Sequence, residues 1–200
     1  MRCFAFLLLL AAVLYGQTAS KVASQTRLLA EGGPLYAKIE GTEVRVAAAA
    51  FRAWIVANGA AIVYSTANGS GGFEGEGQSL YRYDVATGRK SKIISESFEI
   101  TAVEAAQSTD GKVALLVSLE DGGLGASHIA VVDLQRGEVF RQDGAKFAGS
   151  SGGSFTVAWY RDQDWDDLRE NVQVSPYKTQ VYDLDQILKR PVIVNTPARR

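Results

Sequence analysis

Carboxylates dominate the residues of this sequence that could do chemistry. Four aspartates fall within six residues of one polar stretch: Asp162, Asp164, Asp166 and Asp167. The chain has a single histidine, His128, and a single cysteine, Cys3. A lone histidine acts as a base only when the fold brings it a nucleophile and an orienting group. No second metal ligand lies at helical or strand spacing from it, and we predict neither a histidine triad nor a cofactor.

The aspartate stretch partly resembles a calcium loop, since alternating carboxylates suit a cation that binds about six to eight oxygens. Asp167, however, stands where such a loop requires glycine, and Gln173 stands where it requires a bidentate glutamate. The sequence therefore favours a long, solvated interaction loop, with calcium binding left as the alternative. Arg161, Trp165 and Tyr177 are residue types enriched at interfaces, and we predict that they contact a ligand or partner.

Three further aspartates, Asp84, Asp133 and Asp183, recur at intervals of 49 and 50 residues. Each of them ends an apolar run and precedes a turn, where an aspartate side chain accepts hydrogen bonds from the following backbone. Asp110 has the same role in an Asp-Gly turn with Gly111. These five residues are predicted to be structural turn residues and not a shared catalytic site.

The glycine-rich segment 68–77 is the remaining motif that invites a functional reading. It lacks the Gly-Lys-Ser/Thr ending of a phosphate-binding loop and does not open a helix, so nucleotide binding is not indicated. We interpret it as a flexible loop that offers Phe73, at its centre, as another contact residue.

Residues 1–20 have the layout of a secretory signal peptide. Arg2 precedes a continuous apolar run over 4–14, and small residues at 18–20 offer a cleavage site. That run is shorter than the ~20 residues a membrane span needs, so we expect an exported protein, periplasmic or extracellular, without a stable span after cleavage. Because Cys3 lies in the leader, the mature chain has no thiol. Segment 21–30 is predicted to be a flexible tether.

The charge balance is even, with 21 basic and 22 acidic side chains. It gives no electrostatic reason to expect a nucleic acid or an anionic membrane surface as a partner. The positions after the tether, 31–196, are predicted to form one domain, followed by a short tail at 197–200.

Short runs rich in β-branched and aromatic residues alternate with turns throughout this domain, which is typical of an all-β fold. Asn58-Gly59 predicts a two-residue hairpin turn. The run 113–119 is continuously apolar, so we expect it to be a strand covered on both faces. The unit repeats about every 40 to 50 residues with four strands per copy, which indicates a β-propeller-like repeat. A β-sandwich remains the alternative.

Two segments carry a resemblance to a known family. Ser108-Thr109-Asp110-Gly111-Lys112-Val113 and 80–88, which reads LYRYDVATG, resemble the repeats of TolB-like and WD-type beta-propellers. The first copy has Asn58-Gly59 and the third has Gly152-Gly153-Ser154 at the place of the Asp-Gly turn, and 183–190 lacks the usual glycine. The resemblance implies a propeller that acts as a binding platform, and no catalytic residue is carried over.

About three and a half blades are recognisable, whereas propellers have about four to eight. The chain therefore either closes a small ring, associates with a copy or partner, or is part of a larger propeller, and an open stack is expected to expose apolar end faces. We predict a non-catalytic binding or scaffold module that recognises a protein or another extracytoplasmic ligand. The alternatives are an enzyme or enzyme fragment of the propeller-hydrolase type, and a structural subunit that completes a propeller by association.

Overall fold

The computed structural model describes residues 21–68, 77–120, 127–170 and 172–193. Within these ranges the chain is all-β, with fourteen strands in four antiparallel sheets and two short α-helices, which confirms the all-β part of the predicted fold class. In every sheet the strands follow one another in chain order. The predicted leader, 1–20, lies outside the described residues.

The first two sheets contain the N-terminal half of the described chain. The first sheet has three strands: β1 (Ala23–Leu28), β2 (Gly33–Ile39) and β3 (Thr42–Ala50). The second sheet has four strands: β4 (Arg52–Val56), β5 (Ala61–Ala67), β6 (Gln78–Asp84) and β7 (Lys90–Ser95).

The third and fourth sheets contain the remainder. The third sheet has four strands: β8 (Glu99–Gln107), β9 (Val113–Glu120), β10 (Ser127–Asp133) and β11 (Gly137–Asp143). The fourth sheet has three strands: β12 (Ala145–Ser151), β13 (Ser154–Trp159) and β14 (Lys178–Asp183). Helix α1 (Asp164–Arg169) connects β13 to β14, and α2 (Leu184–Ile187) follows β14 directly.

Three apolar clusters join the sheets in chain order. One lies between the first and second sheets, where Leu35 and Val46 meet Ile62. A second lies between the second and third sheets, and a third joins the third sheet to the fourth and to α2. None of these clusters of described residues includes side chains from both the first and the fourth sheet.

Strand β9 shows why the run 113–119 has no polar alternation. Leu115 and Val117 pack toward the second sheet, whereas Ala114 and Leu116 pack toward the fourth. Successive side chains of a strand point to opposite faces, and both faces of β9 are covered by a neighbouring sheet. The prediction that the strand at 113–119 is covered on both faces is therefore confirmed.

The outer face of the first sheet corrects one expectation. Leu35 and Ala37 of β2 face the second sheet, so Tyr36 and Lys38 lie on the opposite face. There Arg27 forms an ion pair with Glu43 and lies over the Tyr36 ring. The end face of the stack is polar on this side and is not the apolar patch that an open stack was expected to expose.

Several local predictions also differ from the structure. The segment 21–30, predicted to be a tether, contains β1, which pairs with β2 along its length. The polar residues of β1 reflect an edge strand with one solvent-exposed side and not a disordered chain. The β4–β5 connection is longer than the predicted two-residue turn, because Val56 pairs with Ala61 and φ is positive from Ala57 to Gly59.

The C-terminal part of the domain contains a helix, α1, where the sequence predicts a loop. The aspartate stretch, predicted to be a solvated loop, forms α1, with Asp164, Asp166 and Asp167 in its first turn, where carboxylates stabilise the helix dipole. Residues 191–193 form neither strand nor helix, and the Ile193 N–H donates to the Glu138 carbonyl at 2.8 Å. Neither described helix has the length and apolar character needed to cross a membrane.

Candidate functional site

The turn that follows β6 is organised by Asp84. Its Oδ1 accepts hydrogen bonds from the N–H of Thr87 at 3.0 Å and from the Thr87 hydroxyl at 2.8 Å. Its Oδ2 accepts from Nη2 of Arg82 at 3.0 Å. The hydrogen bonds from Thr87 lower the pKa of Asp84 most, the Arg82 guanidinium lowers it further, and burial opposes both effects. The carboxylate is therefore ionised, and both of its oxygens accept hydrogen bonds.

Asp133 has the same position at the end of β10. Its Oδ1 accepts from the N–H groups of Gln135 and Arg136 at 2.9 and 3.2 Å, and its Oδ2 accepts from Nε of Arg136 at 2.8 Å. Burial raises the pKa of Asp133, but the bonds from Arg136 and Gln135 outweigh it and the pKa is lowered overall. The Arg136 guanidinium also donates to the Leu188 carbonyl, which links this turn to the segment after α2.

Asp110 organises the turn between β8 and β9. Its Oδ2 lies 2.6 Å from Nζ of Lys112, and its Oδ1 accepts from the Ser108 hydroxyl at 2.5 Å. These bonds, that from Lys112 first, lower the pKa of Asp110 to about 2. Gly111 takes φ of +84° in the same turn, a conformation in which glycine avoids the steric cost of a Cβ.

Asp183 lies at the N-terminus of α2, where its Oδ1 accepts from the Gln186 N–H at 3.3 Å. Two residues later, Asp185 accepts from the N–H of Thr109 at 3.1 Å and from the Thr109 hydroxyl. The carboxylates of α2 therefore serve both to cap the helix and to attach it to the Asp110 turn.

The turns of Asp110 and Asp133 line a cleft of about 660 Å³. We call it the turn cleft. The second sheet contributes Ala57 and Arg82, the third sheet contributes 110–113 and 133–136, and the segment after α2 contributes Leu188 and Lys189. Since two sheets and the segment after α2 supply its walls, the cleft exists only when the sheets are stacked.

The predicted contact residues of the α1 region lie elsewhere. Trp165 is only 5% exposed, and its ring packs against Tyr160 at a centroid distance of 5.6 Å, with the Lys146 ammonium 5.6 Å from the Trp165 centroid. This corrects the prediction that Trp165 is a surface contact: in α1 it serves as an anchor. Arg161 and Tyr177 are exposed, and Phe73 lies outside the described residues.

The Asp162 to Asp167 stretch does not collect its carboxylates around one point. Asp164 Oδ2 accepts the Arg161 N–H at 2.9 Å, and Asp166 and Asp167 are exposed on α1. Across the described ranges, no group of three or more acidic, histidine or cysteine side chains is placed to hold a metal ion.

His128 lies at the start of β10, opposite Asp143 of β11 in the sheet register. Its Nδ1 is 2.7 Å from Oδ1 of Asp143, and its ring stacks on Phe98 with centroids 4.2 Å apart. These contacts orient the imidazole against the sheet and bury most of it, with 13% of the side chain exposed.

A buried ionic cluster lies between the outer strands of the second and third sheets. Nη2 of Arg141 lies 2.5 Å from Oε1 of Glu96, while Nε and Nη2 lie 2.7 and 2.8 Å from the two oxygens of Glu138. Burial raises the pKa of Glu96 despite the opposing effect of Arg141. The hydrogen bonds from Arg141 to Glu138, against the effect of burial, raise the pKa of the guanidinium. All three side chains face one another, and this arrangement is consistent with a structural role in linking the second sheet to the third.

Sequence reasoning found the aspartates of the turn cleft but not its cations. Arg82, Arg136 and Lys189 carry no motif, and Arg82 and Arg136 are separated by 54 positions. A usable signal was the placement of an arginine two residues before Asp84 and another three residues after Asp133. No protein-family model matches this sequence, and no curated protein matches it significantly.

Proposed function

We propose that this chain is an exported, non-catalytic binding module of β-propeller type that contacts its ligand at the turn cleft. The observation that carries the proposal is one cleft lined by the second sheet, by two turns of the third sheet and by the segment after α2, with three ion pairs, Arg82–Asp84, Lys112–Asp110 and Arg136–Asp133, around it. Clefts of about 300 to 1,000 Å³ with a few convergent polar groups are typical of small-molecule sites.

The sheet arrangement supports the propeller part of the proposal. The chain has four separate meander sheets, stacked in chain order by three apolar clusters, which is the arrangement expected of blades. A β-sandwich would instead pack two sheets over one shared core. Export is supported by the leader pattern of residues 1–20.

The test is a map of ligand-induced amide shifts in the ¹⁵N-labelled mature protein, 21–200, against a panel of anionic, cationic and neutral small molecules. We expect at least one compound to shift the amides of Gly111, Gln135 and Lys189 selectively. Turnover of ester, glycoside or peptide substrates by the same sample would instead favour the enzyme alternative. A panel whose shifts all map away from the cleft would overturn the proposed site.

One observation favours self-association as a second candidate function. The fourth sheet has one strand fewer than the two central sheets, and β14 is its edge. Five of the six residues of β14 are exposed, and Val181 keeps 66% of its surface exposed. An edge strand presents unpaired N–H and C=O groups that can pair with another strand.

Solution mass measured by light scattering over a range of concentrations tests this candidate. A concentration-independent dimer that becomes monomeric in Val181→Lys, but not in the first-sheet control Gln25→Lys, would assign the contact to β14. A monomer at all concentrations would contradict it and leave the binding proposal unaffected.

A further inference from the structure

We propose that the turn cleft binds a small ligand through an oxyanion, a carboxylate or phosphate group held by Lys112 and Lys189. This inference rests on the proposed function, because it assigns a ligand chemistry to the same cleft. Some polar groups of the cleft are already satisfied by other groups of the protein, and others still have hydrogen-bonding capacity.

The carboxylates of the cleft are occupied by the protein itself. Both oxygens of Asp133 accept from the Gln135 and Arg136 groups of its own turn, and both oxygens of Asp110 accept from Ser108 and Lys112. Each carboxylate holds a cationic partner within 2.8 Å. A cationic ligand would have to compete with Lys112 and Arg136 for these oxygens, so the acidic groups are poor attractors of one.

The cations of the cleft are less fully occupied. An ammonium group donates three hydrogen bonds, and Nζ of Lys112 makes one such bond, to Asp110. Within the described part of the chain, the side chain of Lys189 makes no hydrogen bond or ion pair. Arg136, by contrast, uses Nε, Nη1 and Nη2 on Asp133, Arg190 and Leu188, so it serves to hold the cleft together.

The charges around the cleft leave a positive surplus. Its walls contain four cations, Arg82, Lys112, Arg136 and Lys189, and two carboxylates. When Asp84, the partner of Arg82, is included, four positive charges face three negative ones. Among the described residues Arg82 forms one ion pair, with Asp84, and its Nε is buried without a hydrogen-bond partner. The net field favours an anion.

The cleft also has an apolar wall. Val113, Leu134 and Leu188 line it beside the charged groups, and Leu188 is itself buried against the core shared with the third sheet. Its volume of about 660 Å³ exceeds what a bare ion fills. A small organic acid or phosphate ester, with a compact apolar body against this wall, matches both parts of the cleft.

Amide shift titrations with two anions, inorganic phosphate and succinate, test the proposal on the mature protein. We expect both to shift Gly111 and Lys189 and to bind more weakly as salt is added. The double variant Lys112→Gln/Lys189→Gln is expected to lose about tenfold in affinity, because it removes the charge-assisted donors. The matched control is Lys90→Gln, which alters an exposed lysine of β7. Thermal unfolding checks that each variant is folded.

The outcomes separate this inference from the function on which it rests. Tighter binding of phosphate would indicate a phosphate ester and tighter binding of succinate a carboxylic acid. If neither anion shifts the cleft, or if the double variant binds as well as Lys90→Gln, the inference is overturned. A cationic or neutral compound that shifts the cleft when the anions do not would overturn the inference but retain the proposed function.

Discussion

Asp185 of α2 accepts two hydrogen bonds from Thr109, one from its N–H at 3.1 Å and one from its hydroxyl. The two residues are 76 positions apart in sequence, and Thr109 lies in the turn that carries Asp110 and Lys112. This contact therefore fixes two walls of the turn cleft relative to each other.

Substitution Asp185→Ala is expected to lower the free energy of unfolding by about 1–2 kcal/mol, because both bonds are lost and the Thr109 N–H loses its partner. Urea unfolding measures the change. Glu31→Ala, which removes an exposed carboxylate from the β1–β2 turn, is the control and should change stability by less than about 0.5 kcal/mol. Equal stability of the two variants would show that the contact is not maintained in solution.

Gly77 lies where the chain enters β6 and has no room for a side chain. A Cβ there would be 2.1 Å from the Glu96 carbonyl oxygen, and φ is +68°. Gly77→Ala is expected to cost about 3 kcal/mol or more, from backbone displacement added to left-handed strain.

Gly144→Ala provides the matched control for Gly77. Its φ is +61°, but a Cβ would meet nothing within 4 Å, so the cost should be limited to about 1–2 kcal/mol of conformational strain. Thermal or urea unfolding compares the two variants. Similar losses of stability in the two variants would mean that the backbone at Glu96 and Gly77 moves apart without a cost in free energy.

Two glutamates contact Arg141, and neutralising them is expected to change the stability of the protein by different amounts. Glu138→Gln removes the charge and replaces one of the two oxygens that accept from the buried Arg141 guanidinium by an NH2 donor, and it should cost about 3 kcal/mol at pH 7. Glu96→Gln should be nearly neutral or stabilising at pH 7, because burial raises the pKa of Glu96 and disfavours its ionised form in the folded state.

The sign of the pH dependence follows from that raised pKa. The folded protein holds the Glu96 proton more tightly than the unfolded chain, so the wild type loses stability as pH rises from below the ordinary glutamate pKa of 4.5 through the higher pKa of the folded state. The stability of Glu96→Gln relative to wild type should therefore increase between pH 4 and pH 7, as measured by urea unfolding at each pH. A relative stability that falls over this range would contradict the assignment.

Trp165 and Tyr177 have the same predicted contact role from sequence, but their burial differs. Trp165→Ala is expected to destabilise the fourth sheet by about 3 kcal/mol, since it removes a buried indole. Tyr177→Ala, at a residue that is 57% exposed, should change stability by less than about 0.5 kcal/mol. Thermal unfolding distinguishes the two, and equal losses would contradict the assignment of Trp165 as an anchor.

Short-range sequence patterns predict much of this fold. The apolar run of β9 indicates cover on both faces, and Asp84, Asp110 and Asp133 mark turns because each carboxylate bonds to backbone within three positions. The sequence also contains a pattern that indicates helix α1, since Trp165 and Leu168 have the i, i+3 spacing of a helical face. The density of aspartates around Trp165 indicated a solvated loop instead.

The candidate site depends on contacts that no local pattern contains. Arg136 reaches Leu188 across 52 positions, and Lys189 enters the cleft only because α2 is attached to the third sheet. Strand β1 also depends on a contact outside its own sequence. Its polar residues have little propensity for strand, and its pairing with β2 makes it a strand. Such features depend on how the sheets pack, which propensity and periodicity do not specify.

The chain-order arrangement of strands has a consequence for how the molecule acquires its structure. Every hydrogen-bonded pair of described strands joins neighbours in sequence. Apart from the connection 160–177 between β13 and β14, most of the loops that close during pairing are therefore short, and the entropy lost in closing them is small. Each sheet is thus a local folding unit with low contact order, and formation is expected to be fast on that account. Docking of one completed sheet on the next then becomes the later step, and the turn cleft is complete only when the last three sheets have met.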